Sequence, residues 1–220
     1  SVKQALAFVV GCSLISLLIL LTLNLAAVLL GVASLALVAA YPFMKRVTWW
    51  PQAWLGLTFN WGVLMGFAAA GFGPGLLVLV GAGTTNIAIF APPVLPALLL
   101  YLALVFWTLG YDTIYALQDI EDDAMVGVKS SARRLGANVQ GGVGAFYGLT
   151  VALTVLAGLT AGLGPIFYIV LLPFAAHLFR QARDVRPDDP ALALRLFRSN
   201  RDAGFILLSA IILGAVSWPL

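Results

Sequence analysis

An all-α, polytopic membrane protein built as a helical bundle is what this sequence predicts, with about seven transmembrane helices in 220 residues. Of these residues 62% are hydrophobic and 10% charged, and the mean hydropathy is +1.03. A soluble domain would need a far larger charged surface. The apolar residues fall in continuous runs and not in the alternation of barrel strands, which excludes a transmembrane β-barrel. Each spanning helix takes about 20 mostly apolar residues, so the chain can hold six or seven and little else.

The first run, Ala5 to Leu23, has no cleavage site and reads as a span, not a signal peptide. The second, Leu25 to Phe43, closes on Tyr41-Pro-Phe-Met-Lys45-Arg46, where Pro42 bends the helix end and two cations stop the apolar run. The third, Ala53 to Phe72, carries Asn60 and Trp61 inside the span, and a lipid-buried amide needs a partner. Between Gly75 and Pro93 stand two apolar pieces, Leu76 to Val80 and Ile87 to Phe90, each too short to cross, which predicts a re-entrant or surface hairpin. The remaining spans are expected at Leu95 to Gln118, Gly141 to Ala161, Pro165 to Gln181 and Ala203 to Trp218. The polar stretch Arg180 to Asp202 predicts a separate short amphipathic helix, Pro190 to Arg198, lying on the headgroups. The Gly-x-x-x-Gly pairs Gly62/Gly66, Gly144/Gly148 and Gly158/Gly162 predict close helix approach within the chain.

Charge placement supports this count. All twelve cations fall at the amino end (Lys3), after the second span (Lys45, Arg46), after the fourth (Lys129, Arg133, Arg134), or between the sixth and seventh (Arg180, Arg183, Arg186, Arg195, Arg198, Arg201). The alternate connections hold none, so an amino end in the cytoplasm places every cation on that side. The surplus over nine anions is therefore an orientation signal, and no nucleic-acid partner is expected. Cys12 and His177 each stand alone, which excludes an internal disulfide and a multi-histidine metal site.

Orientation does not explain why the acids crowd onto that same face. In Tyr111-Asp-Thr-Ile-Tyr115-Ala-Leu-Gln-Asp119-Ile-Glu-Asp-Asp123, Asp112, Asp119 and Asp123 share one stripe of a continuing helix, with Asp112 roughly 10 Å deeper than Asp119. A carboxylate in the hydrocarbon region needs a polar cavity and a partner. Stacked carboxylates repel unless a cation joins them, and hard oxygen ligands at this spacing suit Mg²⁺ sharing its shell with phosphates, which makes Asp119 and Asp123 metal candidates. Glu121 and Asp122 lie off the stripe, as expected of a solvated helix end. Lys129 is close enough in sequence to fold back on a phosphate, or it serves orientation alone. Composition alone makes the Tyr41 to Gln52 loop an interfacial anchor, with Trp49 and Trp50 at headgroup level.

The motif Tyr-Asp-Thr-x-Tyr-Ala-x-x-Asp-x-x-Asp-Asp, followed by Gly-x-Lys-Ser, resembles the second aspartate-rich motif of the UbiA superfamily of intramembrane prenyltransferases. Tyr-Pro-Phe-x-Lys-Arg-x-Thr-x-Trp-Pro-Gln resembles the loop of its 4-hydroxybenzoate polyprenyltransferase branch. The resemblance covers essentially the whole chain. It implies a nine-helix bundle around a cavity that binds Mg²⁺ and a polyprenyl diphosphate, with 4-hydroxybenzoate as acceptor in ubiquinone biosynthesis. Asp119 and Asp123 then hold metal and diphosphate, and Asp112 is the preceding acid. Tyr41, Lys45, Tyr115, Asn60 and Lys129 are expected to contact substrate, and Arg46 the acceptor carboxylate. The family's first motif, Asn-Asp-x-x-Asp-x-x-x-Asp, is nowhere in the 220 residues. The expectation is one prenyltransferase domain, residues 1–220, lacking its first two helices and inactive alone. A bacterial inner membrane, with the site opening on the cytoplasmic side, is the expected location. Naphthoate, homogentisate or haem acceptors are alternatives within the superfamily. A transporter is the alternative from another class, and a structural membrane subunit a third.

Overall fold

The computed structural model describes residues 1–71 and 94–216, and every regular element among them is helical. In order these are α1 (Val2–Leu21), α2 (Leu25–Val47), α3 (Pro51–Phe59), α4 (Trp61–Gly71), α5 (Leu95–Tyr115), α6 (Ile120–Met125), α7 (Ser131–Leu135), a 3₁₀ turn (Gly136–Asn138), α8 (Val139–Ala161), α9 (Pro165–Asp184) and α10 (Pro190–Val216). Seven stretches among them are long and apolar enough to cross a membrane, with α3 and α4 forming one and α7 to α8 another. The hairpin expected between Gly75 and Pro93 lies outside the described residues, as do the last two residues of the expected Ala203 to Trp218 helix.

The chain divides into two compact units. In the first, residues 1–36 and 62–92, the turn between α1 and α2 is fixed by Asn24. Its Nδ2 donates to the Ala68 carbonyl at 2.6 Å, and its Oδ1 accepts the Ala27 N–H at 2.9 Å, so one buried amide caps α2 and fastens it to the end of α4.

The second unit, residues 37–61 and 93–220, contains the core. The most extensive helix pairing is α5 against α8. It depends on Gly110, where a Cβ would collide with the Tyr147 ring. Gly158 plays the same part beneath Phe167. Of the expected Gly-x-x-x-Gly pairs, only Gly158 makes such an approach among the described residues. Gly162 ends α8 in the left-handed region at φ 68°, and Gly62, Gly66 and Gly148 have no neighbour at Cβ distance among the described residues.

Two expectations are corrected in this unit. The predicted amphipathic helix Pro190 to Arg198 is not separate, because α10 runs unbroken from Pro190 to Val216. The polar residues that suggested a break are satisfied inside instead. Asn200 Oδ1 accepts the Trp107 indole N–H at 2.9 Å, and Gln181 Nε2 donates to Ser199 Oγ at 2.9 Å. Tyr147 completes the network by donating to Gln181 Oε1 at 2.7 Å.

The acidic helix is not continuous. Bonds from Leu117 N to Ile114 O (3.2 Å) and Gln118 N to Tyr115 O (3.1 Å) tighten the end of α5, and Leu117 turns into the core. The chain restarts at Asp119, the N-cap of α6. The third span is interrupted too, because Asn60 caps α3. Its Nδ2 divides its hydrogens among Gly56 O (2.8 Å), Leu104 O (3.1 Å) and Thr108 Oγ1 (2.8 Å).

Candidate functional site

The break after α5 shapes the site. An uninterrupted helix would carry Asp112, Asp119 and Asp123 as a straight stripe. The turn instead folds the last two back, and all three line one cavity of about 110 Å³. The backbone bond from Asp123 N to Asp119 O (2.8 Å) keeps that pair one helical turn apart. The same cavity is lined by Tyr41 and Lys45, from the end of α2, and Pro51 and Gln52 from the start of α3, together with Tyr115, Ala116 and Ser130.

The segment that carries Asp119 and Asp123 is tied at its far end. Lys129 N donates to Lys45 O at 2.9 Å, and Arg133 Nη1 donates to Asp123 O at 3.3 Å and also to Val128 O. Ser131 Oγ meets Thr113 Oγ1 at 2.6 Å, so residues 113 and 131 close the base of the loop. Burial raises the Asp123 carboxyl above its ordinary pKa. Lys45 and Arg133 oppose that shift, and the neighbouring charges of Asp119 and Asp122 add to it.

The other expected site residues lie elsewhere. Lys129 Nζ donates to Val47 O at 3.2 Å and sits 5.9 Å from the centre of the Trp49 ring, and it does not line the cavity. Arg46 is exposed and lines neither this cavity nor the next. Asn60 borders a second cavity of about 330 Å³, walled by Trp107, Tyr111 and Phe197, with Asn200 and Arg198 beside them. Phe197 also packs on Tyr115 at 4.6 Å between ring centres, so one ring touches residues of both cavities. Glu121 and Asp122 are exposed, as expected of a solvated end.

No three His, Cys, Asp or Glu side chains among the described residues are placed to hold a metal ion together. Two carboxylates one turn apart beside a cation fit an ion whose shell is completed by water and phosphate oxygens, which is how Mg²⁺ is commonly held. Gln52 and Ser130 were not singled out from the sequence. The signal for Gln52 was present, since it is a polar residue directly after Pro51 at the mouth of a span.

Spans of this length and apolarity, with an acid-lined cavity at the end of one of them, define a polytopic membrane protein with a polar site beside the hydrocarbon region. The chain belongs to the UbiA prenyltransferase family, whose sequence profile matches residues 1–213. It is 38% identical over 213 residues to the mitochondrial 4-hydroxybenzoate polyprenyltransferase of Drosophila melanogaster, covering 97% of this chain and 50% of that protein. It is 37% identical over 214 residues to the human mitochondrial protein of the same name, covering 97% and 53%. The chain thus spans about half the length of the curated relatives it matches. Among solved structures it resembles a UbiA homolog from Aeropyrum pernix K1, with a TM-score of 0.76 and 25% identity over 98% of this chain and 74% of that one. A digeranylgeranylglyceryl phosphate synthase at 17% identity, with a TM-score of 0.68, shares the fold.

Proposed function

We propose that residues 1–220 form one prenyltransferase domain, which takes a polyprenyl group from a polyprenyl diphosphate and joins it to the ring carbon ortho to the phenol of 4-hydroxybenzoate. The observation that carries this reading is a single cavity in which Asp112, Asp119 and Asp123 face Tyr41 and Lys45. Among the described residues no ion pair within 4 Å joins these acids to a cation. Asp119 and Asp123 would hold Mg²⁺, which supplies Lewis-acid stabilisation of the departing diphosphate. Lys45 and Tyr41 donate to its phosphate oxygens, and Tyr115 flanks the allylic end. The allylic C–O bond breaks with its electron pair leaving on the diphosphate. The acceptor's ring carbon supplies the pair for the new C–C bond, and the ring proton is lost to restore aromaticity.

The names of the relatives support 4-hydroxybenzoate over naphthoate, homogentisate or haem acceptors, and family membership leaves the transporter and structural-subunit readings without support. Those names refer to mitochondria, so a bacterial inner membrane finds no support in them. What we retain is an integral membrane protein whose site opens on the face that holds the cations.

With no first aspartate-rich motif in its 220 residues, the chain is expected to bind the magnesium diphosphate without transferring the prenyl group. Equilibrium dialysis with geranyl thiodiphosphate, an allylic diphosphate that resists ionisation, should show Mg²⁺-dependent binding. Binding that ignores Mg²⁺ would remove the reading. Product formed from 4-hydroxybenzoate by these residues alone would remove the expectation of inactivity.

A further inference from the structure

Two neutral side chains in the acid cavity carry donors that the fold does not use. Gln52, only 4% exposed, accepts the Ser131 N–H on its Oε1 at 3.0 Å. Only the oxygen of the amide can accept, so this bond fixes the orientation and puts both Nε2 hydrogens on the opposite end. Nε2 has no hydrogen-bond partner among the described residues, yet no fully buried side-chain nitrogen or oxygen there is left unsatisfied. Nε2 therefore has open space beside it, and the space that Gln52 lines is the acid cavity.

Ser130 repeats the arrangement. Its Oγ accepts the Arg133 N–H at 3.3 Å to cap α7, and its own proton has no acceptor among the described residues. It too is buried and lines the cavity. Both positions are rigid, because Ser131, which holds Gln52, is joined to Thr113, the residue after Asp112.

We infer that Gln52 and Ser130 are direct hydrogen-bond donors to the diphosphate, with the Ser131 N–H serving to aim the Gln52 amide into the cavity. This rests on the reading above, in which a magnesium-bound allylic diphosphate occupies that cavity. The chemistry favours neutral donors here. An additional guanidinium beside Asp119 and Asp123 would pair with them and compete with the metal, whereas an amide and a hydroxyl satisfy phosphate oxygens and leave the carboxylates free.

The test compares two substitutions by Mg²⁺-dependent binding of geranyl thiodiphosphate to the detergent-solubilised chain. Gln52→Glu keeps the oxygen that accepts from Ser131 but removes the amide donors, whereas Gln52→Leu removes both without adding charge. Direct donation requires both to weaken binding, each by about tenfold. Weakening by Gln52→Leu alone would mean that Gln52 only holds Ser131, and weakening by Gln52→Glu alone would mean an effect of added charge. Either result, or no change in both, overturns the inference. Should Gln52→Leu fail to fold by circular dichroism and gel filtration, Ser130→Ala supplies the neutral arm, with a few-fold loss expected and wild-type binding overturning it. Wild-type chain that binds without Mg²⁺, or Asp119→Asn/Asp123→Asn chain that binds as tightly as wild type, would refute the underlying reading as well. Mg²⁺- and acid-dependent binding that ignores Gln52 and Ser130 would refute the inference alone.

Discussion

The polar network between α8, α9 and α10 and the acid cavity at the end of α5 belong to one compact unit, yet they treat their polar groups in opposite ways. In the network Tyr147, Gln181, Asn200, Ser199 and the Trp107 indole satisfy one another at 2.7 to 2.9 Å along its main bonds. Gln181 Oε1 takes a further, longer bond from Asn200 Nδ2 at 3.3 Å. In the cavity three carboxylates, one ammonium, an amide and three hydroxyls line a shared space with donors and acceptors left over. Buried polar groups that complete one another hold helices together where lipid supplies little driving force. Groups that remain incomplete in a rigid frame are arranged for a ligand. Side-chain type alone does not separate the two, since each region contains a glutamine, a serine and a tyrosine; the bonding partners do.

Substitutions should divide along that line. The largest effect is expected from Asp119→Asn/Asp123→Asn, which should lower Mg²⁺-dependent binding of geranyl thiodiphosphate by about 100-fold or more. The unfolding midpoint should barely move, since no ion pair is lost. A large drop in that midpoint would show that the acids are structural and erase the contrast. Gln181→Leu should do the reverse. It leaves the Tyr147 hydroxyl and Asn200 without their shared acceptor and should cost about 2–3 kcal/mol in denaturant unfolding. Its diphosphate affinity, measured where the protein is folded, should match wild type. Lys45→Met removes the one ammonium of the cavity and should weaken binding by roughly 10-fold, with little change in stability. Tyr147→Phe is the mildest, at about 1 kcal/mol of stability, because Gln181 Oε1 keeps the Asn200 donor.

The sequence made the helix count and the acid-bearing segment legible for different reasons. Spans announce themselves through unbroken apolar runs, and every described span falls where such a run stands. Asp112, Asp119 and Asp123 were found through a helical register that does not hold, since α5 ends at Tyr115, but one turn of α6 still brings the acids to a common cavity. The continuity of α10 was not legible. Ser199 to Asp202 look like a break in any local window, but besides carbonyls of their own helix Ser199 bonds Gln181 and His177 and Asn200 bonds Gln181 and Trp107, all on other helices. Gln52 was hidden for a related reason. Its role depends on Ser131, 79 residues later, and no spacing rule reaches that far.

The interruption at Asn60 bears on how the protein enters the bilayer. The span Pro51–Gly71 is among the least apolar of the seven, at a mean hydropathy of 1.3, and its central amide would meet hydrocarbon if it crossed alone. Two of the acceptors that satisfy that amide, Leu104 O and Thr108 Oγ1, are on α5, which is synthesised later. Insertion of this span should therefore be inefficient in a chain stopped before Leu95 and should become complete once α5 has followed it into the membrane, an order of events that glycosylation mapping of nascent chains can read directly.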